Sequence, residues 1–327
     1  MFRAALSALT CALGCSLPAP ISAQTLLPER RIELPDVSGR LDHLAIDSEG
    51  NRLFVAALAA GSLEVIDLAA ARRVARIAPL GEPQGVAYLA ASHRLVVASG
   101  SSGRLDAYDE IGSAAAASVL HLDDADNLRF DAAANELWLG YGRALAVLDP
   151  RTLRAIGQWT LAGHPEAFAV DPDGRYVYVN VPSASQIAVV DRRSDRVAAT
   201  WPVTGAAGNF AMAIDPSSHR LFVATRRPAL LLAYDTQSGK RVSGLPICGD
   251  TDDLFFDGAR RQLYAVCGEG KVAVVRQRDP DHYEVIEQIA TAPGARTGLF
   301  VADRSSLFVA APARAGVSAN VRIYRVQ

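Results

Sequence analysis

The chain has 327 residues, 50% of them hydrophobic and 21% charged, with a formal net charge of −2. That is ample apolar material for a core, and the weakly acidic balance speaks against a nucleic-acid or anionic-membrane footprint, which needs a basic surface. Past the first residues no apolar run is long enough to span a bilayer as a helix.

In chain order, the first element is an export signal. Arg3 gives a short positive region, Ala4 to Leu17 is apolar, and Pro18 to Ala23 leads to cleavage before Gln24. A second reading makes the chain a lipoprotein acylated at Cys15. Removing residues 1–23 takes away Arg3 and no acid, so the mature chain carries −3. The expected compartment is the periplasm or the medium. Residues 24–30 read as a short linker and residues 31–327 as one domain, expected to be a monomer.

That domain is a repeat. The runs NRLFVAA, HRLVVAS, NELWLGY, RYVYVNV, HRLFVAT, RQLYAVC and SSLFVAA align on Leu53, Leu95, Leu137, Val177, Leu221, Leu263 and Leu307, spaced 40 to 44 residues apart. Such a period, with four short strands in each unit, predicts an all-β, seven-bladed β-propeller of four-stranded antiparallel blades. In blade 1, His43–Asp47 reads as strand a, Leu53–Ala57 as strand b, Leu63–Asp67 as strand c and Arg73–Ile77 as strand d. Turn-forming residues separate them.

Acids recur at the end of strand a (Asp47, Asp131, Asp171, Asp215, Asp257) and of strand c (Asp67, Asp109, Asp149, Asp191, Asp235). Each precedes a turn, where a carboxylate accepts backbone N–H bonds, so these acids read as structural. Blade 7 supplies only three strands, 298–302, 306–311 and 321–326. The missing fourth is available in Arg31–Leu34, which closes the ring beside the C-terminal strand and removes two open sheet edges.

Blade 4, with Tyr176-Val177-Tyr178-Val179-Asn180 followed by Gln186 to Asp191, resembles the YVTN repeat of exported bacterial propellers, the YncE-like group. The resemblance extends over the mature chain. It implies a seven-bladed propeller and an exported protein.

Cys11 and Cys15 fall in the signal segment. Cys248 and Cys267 remain, an even pair suited to an oxidising compartment. Cys248 precedes strand a of blade 6 and Cys267 ends strand b of the same blade, so a disulfide and two separate small apolar residues are both open readings.

The candidate site is where the repeat breaks. The residues leading into strand a differ from blade to blade yet stay polar: Arg40–His43, Glu82–Gly85, Asp124–Asn127, His164–Glu166, Gly208–Phe210, Asp250–Asp253 and Ala295–Thr297. In a propeller they converge on the channel mouth at the face here called the top. The turns between strands b and c add Tyr141, Arg143, Arg226, Arg227 and Glu269 on that face.

The candidate ligand-binding set is His43, Gln84, Asp126, Asn127, His164, Glu166, Asn209, Asp252, Asp253 and Arg296. Within it, His43, His164 and Glu166 are the candidate ligands of a divalent cation, since oxygen donors with imidazole suit Zn²⁺, Mn²⁺ or Cu²⁺. No hydrolase elbow, phosphate loop, haem-attachment pair or metalloprotease motif is present. Three functions fit. The first is a propeller that binds a small ligand, a cation or a partner protein at the mouth. The second is a metal-dependent lyase or lactone hydrolase using the same residues. The third is an interaction scaffold without a small-molecule site.

Overall fold

Strand b explains why the repeat is so legible. In blade 1 its side chains alternate between two gaps: Leu53 and Val55 pack toward blade 7, Phe54 and Ala56 toward blade 2. A strand buried on both faces reads as a continuous apolar run rather than an alternating one. The core is accordingly divided into seven apolar clusters, one in each gap between neighbouring blades.

The computed structural model describes residues 24–109, 111–171, 175–194 and 196–327. The expected signal segment, with Cys15, lies outside the described residues. Seven four-stranded antiparallel sheets form the ring. Blade 1 consists of Leu44–Asp47, Arg52–Ala57, Ser62–Asp67 and Arg72–Ile77. The inner strands of blades 2 to 7 are Pro83–Leu89, Leu128–Asp131, Phe168–Val170, Ala207–Asp215, Thr251–Asp257 and Thr297–Val301. Blade 7 returns against blade 1 through its inner strand. Among the described residues no helix is long and apolar enough to cross a membrane.

Ring closure follows the expected pairing and extends beyond it. Leu26–Leu34 lies antiparallel to Ala319–Val326, running from Leu26 opposite Val326 to Leu34 opposite Ala319. Most of the segment expected as a linker therefore belongs to the sheet. Leu26 is fully buried among residues of blades 6 and 7, and the Thr25 N–H donates to Glu287 at 2.7 Å. Pro28 sits at a register shift of this outermost strand, where a missing N–H is tolerated.

The repeated acids cap turns. Asp47 accepts from the Gly50 N–H at 2.9 Å, Asp67 from Ala69 and Ala70, Asp149 from Arg151 and Thr152, and Asp235 from Ser238. The sulfurs of Cys248 and Cys267 are bonded, with the two Cα atoms 5.8 Å apart. The bridge ties the approach to the inner strand of blade 6 to the end of its second strand.

Candidate functional site

The pairing of each inner strand with its neighbour fixes equivalent positions around the ring. Leu44, Val86, Leu128, Phe168, Met212, Leu254 and Gly298 lie opposite corresponding residues of the second strands. Two residues earlier stand Asp42, Gln84, Asp126, Glu166, Phe210, Asp252 and Arg296. The first six of these line one cavity of about 130 Å³ at the channel mouth. Arg40, His43, Asp124, Asn127, His164 and Arg226 complete its polar wall. The positions just before these, Leu41, Pro83, Ala125, Pro165, Asn209, Thr251 and Ala295, are all buried. The alternation of an extended chain sends one set to the axis and the other into the blades.

Charge is organised in two groups. On one side Arg40 lies 2.9 Å from Asp42 and 3.7 Å from Asp252. Arg226 pairs with Asp252, reaches Asp250 at 3.3 Å and covers the Phe210 ring. Arg296 joins from the rim, 2.8 Å from Asp250 and 3.8 Å from Asp252. On the other side His164 Nδ1 lies 3.0 Å from the Gly142 carbonyl and 3.7 Å from Asp124, and its Nε2 lies 3.7 Å from Asp126. Gln84 donates to Asp124 at 3.2 Å.

Burial opposes charge on His164, but Asp126 and Asp124 outweigh it and push the imidazole up to about 9. Burial and the nearby Asp126 push the Glu166 carboxyl up to about 8, against the pull of His164. Burial likewise raises Asp42 to about 7, although His43 and Arg40 work the other way.

Several groups here lack an aligned hydrogen bond. No described residue hydrogen-bonds or ion-pairs with the Glu166 side chain. Asn127 is 3% exposed and its Oδ1 accepts no hydrogen bond. Both Asp42 oxygens, Asp252 Oδ2, Arg226 Nε and Arg296 Nε are buried without an aligned hydrogen bond. Buried polar atoms are ordinarily satisfied, so such a concentration at one mouth is unusual.

Two expected members face elsewhere. Asn209 is fully buried, and its Nδ2 donates to Asn180 Oδ1 and the Gln186 carbonyl, both at 3.0 Å, so it braces blade 5 against blade 4. It occupies the alternate position that points into the blades. Asp253 sits beneath the cavity, accepting from the Gly298 N–H at 2.9 Å and facing His43 Nδ1 at 3.4 Å. His43 and Arg129 outweigh burial and hold the Asp253 carboxyl below the usual range. His43, despite burial, is pushed up to about 9 by Asp253 and Asp42.

Among the described residues no group of three or more His, Cys, Asp or Glu is arranged to hold a metal ion. His43, His164 and Glu166 line the cavity but do not form a ready-made ligand set. Both imidazoles are protonated at neutral pH and offer no lone pair. Arg40, Asp42, Asp124, Phe210 and Arg226, placed at the mouth by the sequence but left out of the ligand-binding set, line the cavity. The alternation before each inner strand, together with the turn after strand b of blade 5, is the signal that finds them.

The fold is shared with known structures. A chain in a crystal structure of a mitotic checkpoint complex matches with a TM-score of 0.77 and 17% identity, over 99% of this chain and 99% of that one. A chain of Kuenenia stuttgartiensis hydrazine synthase matches at 0.75 and 15% identity, over 88% of this chain and 96% of that one. At these identities the likeness is one of architecture. No protein-family model and no curated protein matches the sequence.

Proposed function

We propose that this chain is an exported propeller of the YVTN-repeat type that binds a small polar ligand carrying a cationic group at its top-face channel mouth. The observation that carries this reading is the partnerless Glu166 carboxyl beside the unsatisfied amide of Asn127, in a cavity walled almost wholly by polar side chains. A half-buried acid whose neighbours are Asp126 and Asp252 gains most from an incoming cation. Arg226, on the cavity wall with no aligned hydrogen bond at its Nε, suits an acceptor on the same ligand, which makes a zwitterion the best match. Export is supported by the N-terminal sequence and by the Cys248–Cys267 bridge, a bond that persists in oxidising compartments.

A docked partner protein is the weaker reading. The large exposed apolar side chains, Val74, Leu120, Ile156, Val242 and Val317, each belong to a different blade and gather into no patch. A metal-dependent lyase or hydrolase would need an incoming cation to displace protons from two imidazolium ions and the carboxylates to move into a shared ligand set.

The test is a thermal-shift and calorimetric screen of mature protein against amino acids, small amines, small acids and divalent cations. Zwitterions and amines should raise the melting temperature of the parent and leave the His164→Ala/Glu166→Ala double variant unmoved. A parent that responds only to acids, or to nothing in the screen, would overturn the reading.

A further inference from the structure

Below the His43–Asp253 pair the channel changes character. A second cavity of about 340 Å³ continues along the inner strands, and most of its lining side chains are apolar, including Ile46, Phe130, Phe255 and Leu299. One charged side chain other than that pair lines it, Arg129. The geometry points to a second binding site here, in which the lower channel takes a small apolar carboxylate, its carboxylate on Arg129 and its hydrocarbon body against Phe130 and its neighbours.

Arg129 breaks the repeat. At the same position of the other inner strands stand Ala45, Ala87, Ala169, Ala213, Phe255 and Leu299. Small or apolar residues satisfy the packing in six blades, so blade packing itself does not call for a guanidinium. Its Nη1 donates to the carbonyl of Leu128 at 2.9 Å, and its guanidinium carbon lies 5.8 Å from the centre of the Phe168 ring. Among the described residues no carboxylate lies within ion-pair distance of it. Asp253 and Asp126 act on it only from further away, and Asp253 is already committed to His43 and the Gly298 N–H. Most of a five-donor fork is left unmatched.

The position is costly for a lone cation. Arg129 is half-buried on the cavity wall, and that burial depresses its pKa from the ordinary arginine value. An uncompensated buried charge is destabilising unless a counter-ion completes it.

The counter-ion's class follows from the fork and the walls. A planar carboxylate matches a guanidinium in bidentate geometry. A strongly hydrated dianion does not suit an apolar chamber. The volume lies at the lower end of the range of small-molecule pockets, which suits a single ring or a short alkyl chain.

The experiment is calorimetric titration of mature protein with butyrate, hexanoate and phenylacetate, and with hexylamine and hexanol as chain-matched controls. The carboxylates should bind and tighten about fourfold with each added methylene until the chamber is full. The alcohol should not bind, and any heat from the amine, which the mouth takes, should be the same in Arg129→Met. Arg129→Met should weaken hexanoate by about 10- to 100-fold, while Arg129→Lys, which keeps the charge but loses the fork, should fall between. Because Met removes an unpaired, half-buried charge, this variant should melt no lower than the parent, which separates lost binding from lost fold. Hexanol binding as tightly as hexanoate would overturn the proposal. So would an Arg129→Met variant with parental affinity, or a parent that binds none of the three acids.

Discussion

Glu166 makes the proposed site sensitive to pH. Its carboxyl is pushed up to about 8, above its unfolded value near 4.5, so the folded chain holds a proton that the unfolded chain releases. Stability is therefore lost as pH rises between these values, and the penalty is complete above about 8. Glu166→Gln carries no such penalty. It should match the parent near pH 4.5 and exceed it by roughly 1–3 kcal/mol at pH 9, read from urea midpoints at the two pH values. Equal gains at both would disprove the assignment.

A bound cation reverses the preference, because it favours the ionised acid. Affinity for an amine or zwitterion should climb with pH up to about 8 and level off there while the ligand stays protonated. The buried His43–Asp253 pair has the opposite sense. The raised imidazole contributes fully below its unfolded pKa and is lost as pH passes about 9. The depressed Asp253 contributes above the ordinary carboxylate range and is lost in acid. Asp253→Asn leaves a buried imidazole without its counter-charge, and at pH 7 should cost about 3–5 kcal/mol by chemical denaturation.

At the scale of elements, the bridge between Cys248 and Cys267 closes a loop with a sequence separation of 19. Constraining the unfolded chain over that length is worth about 3 kcal/mol. Reductant, or Cys248→Ser/Cys267→Ser, should lower the unfolding midpoint accordingly, and denatured, unreduced protein should show no free thiol. Two titratable thiols would disprove the bridge.

Which elements could be read from the sequence follows from the same physics. The second strands were legible because burial on both faces leaves an unbroken apolar run, as in Leu53–Ala57. The turns before them were legible where Asn51 and Asn135 adopt a left-handed backbone at φ 54°. They were not legible at Arg261 and Ser305, which take the same conformation with no side-chain preference for it. The mouth was legible because its positions break a repeat. Asn209 misled because its direction depends on a one-residue alternation that sequence alone does not phase. Arg129 was hidden inside a segment that reads as ordinary strand, and only the pairing register shows that its six counterparts are apolar.

At the scale of the whole molecule, the ring depends on its ends. Each apolar cluster is shared between two blades, so no blade buries its faces alone. The gap between blades 7 and 1 takes Ile32 and Leu34 from the N-terminal strand and Phe308, Val321 and Ile323 from the C-terminal blade. Leu26, on the same strand, packs into the gap between blades 6 and 7. Deleting residues 24–34 would strip apolar side chains from two clusters and leave Ala319–Val326 as an open edge. It would also loosen the approach to Asp42 and His43, which begins where that strand ends. The truncated protein should therefore lose several kcal/mol, associate through the exposed edge, and lose its ligand response at the mouth. Melting by circular dichroism and light scattering read the first two, and the amine screen reads the third. A truncated chain that melts with the parent and stays monomeric would show that the six remaining interfaces hold the ring without its closing strand.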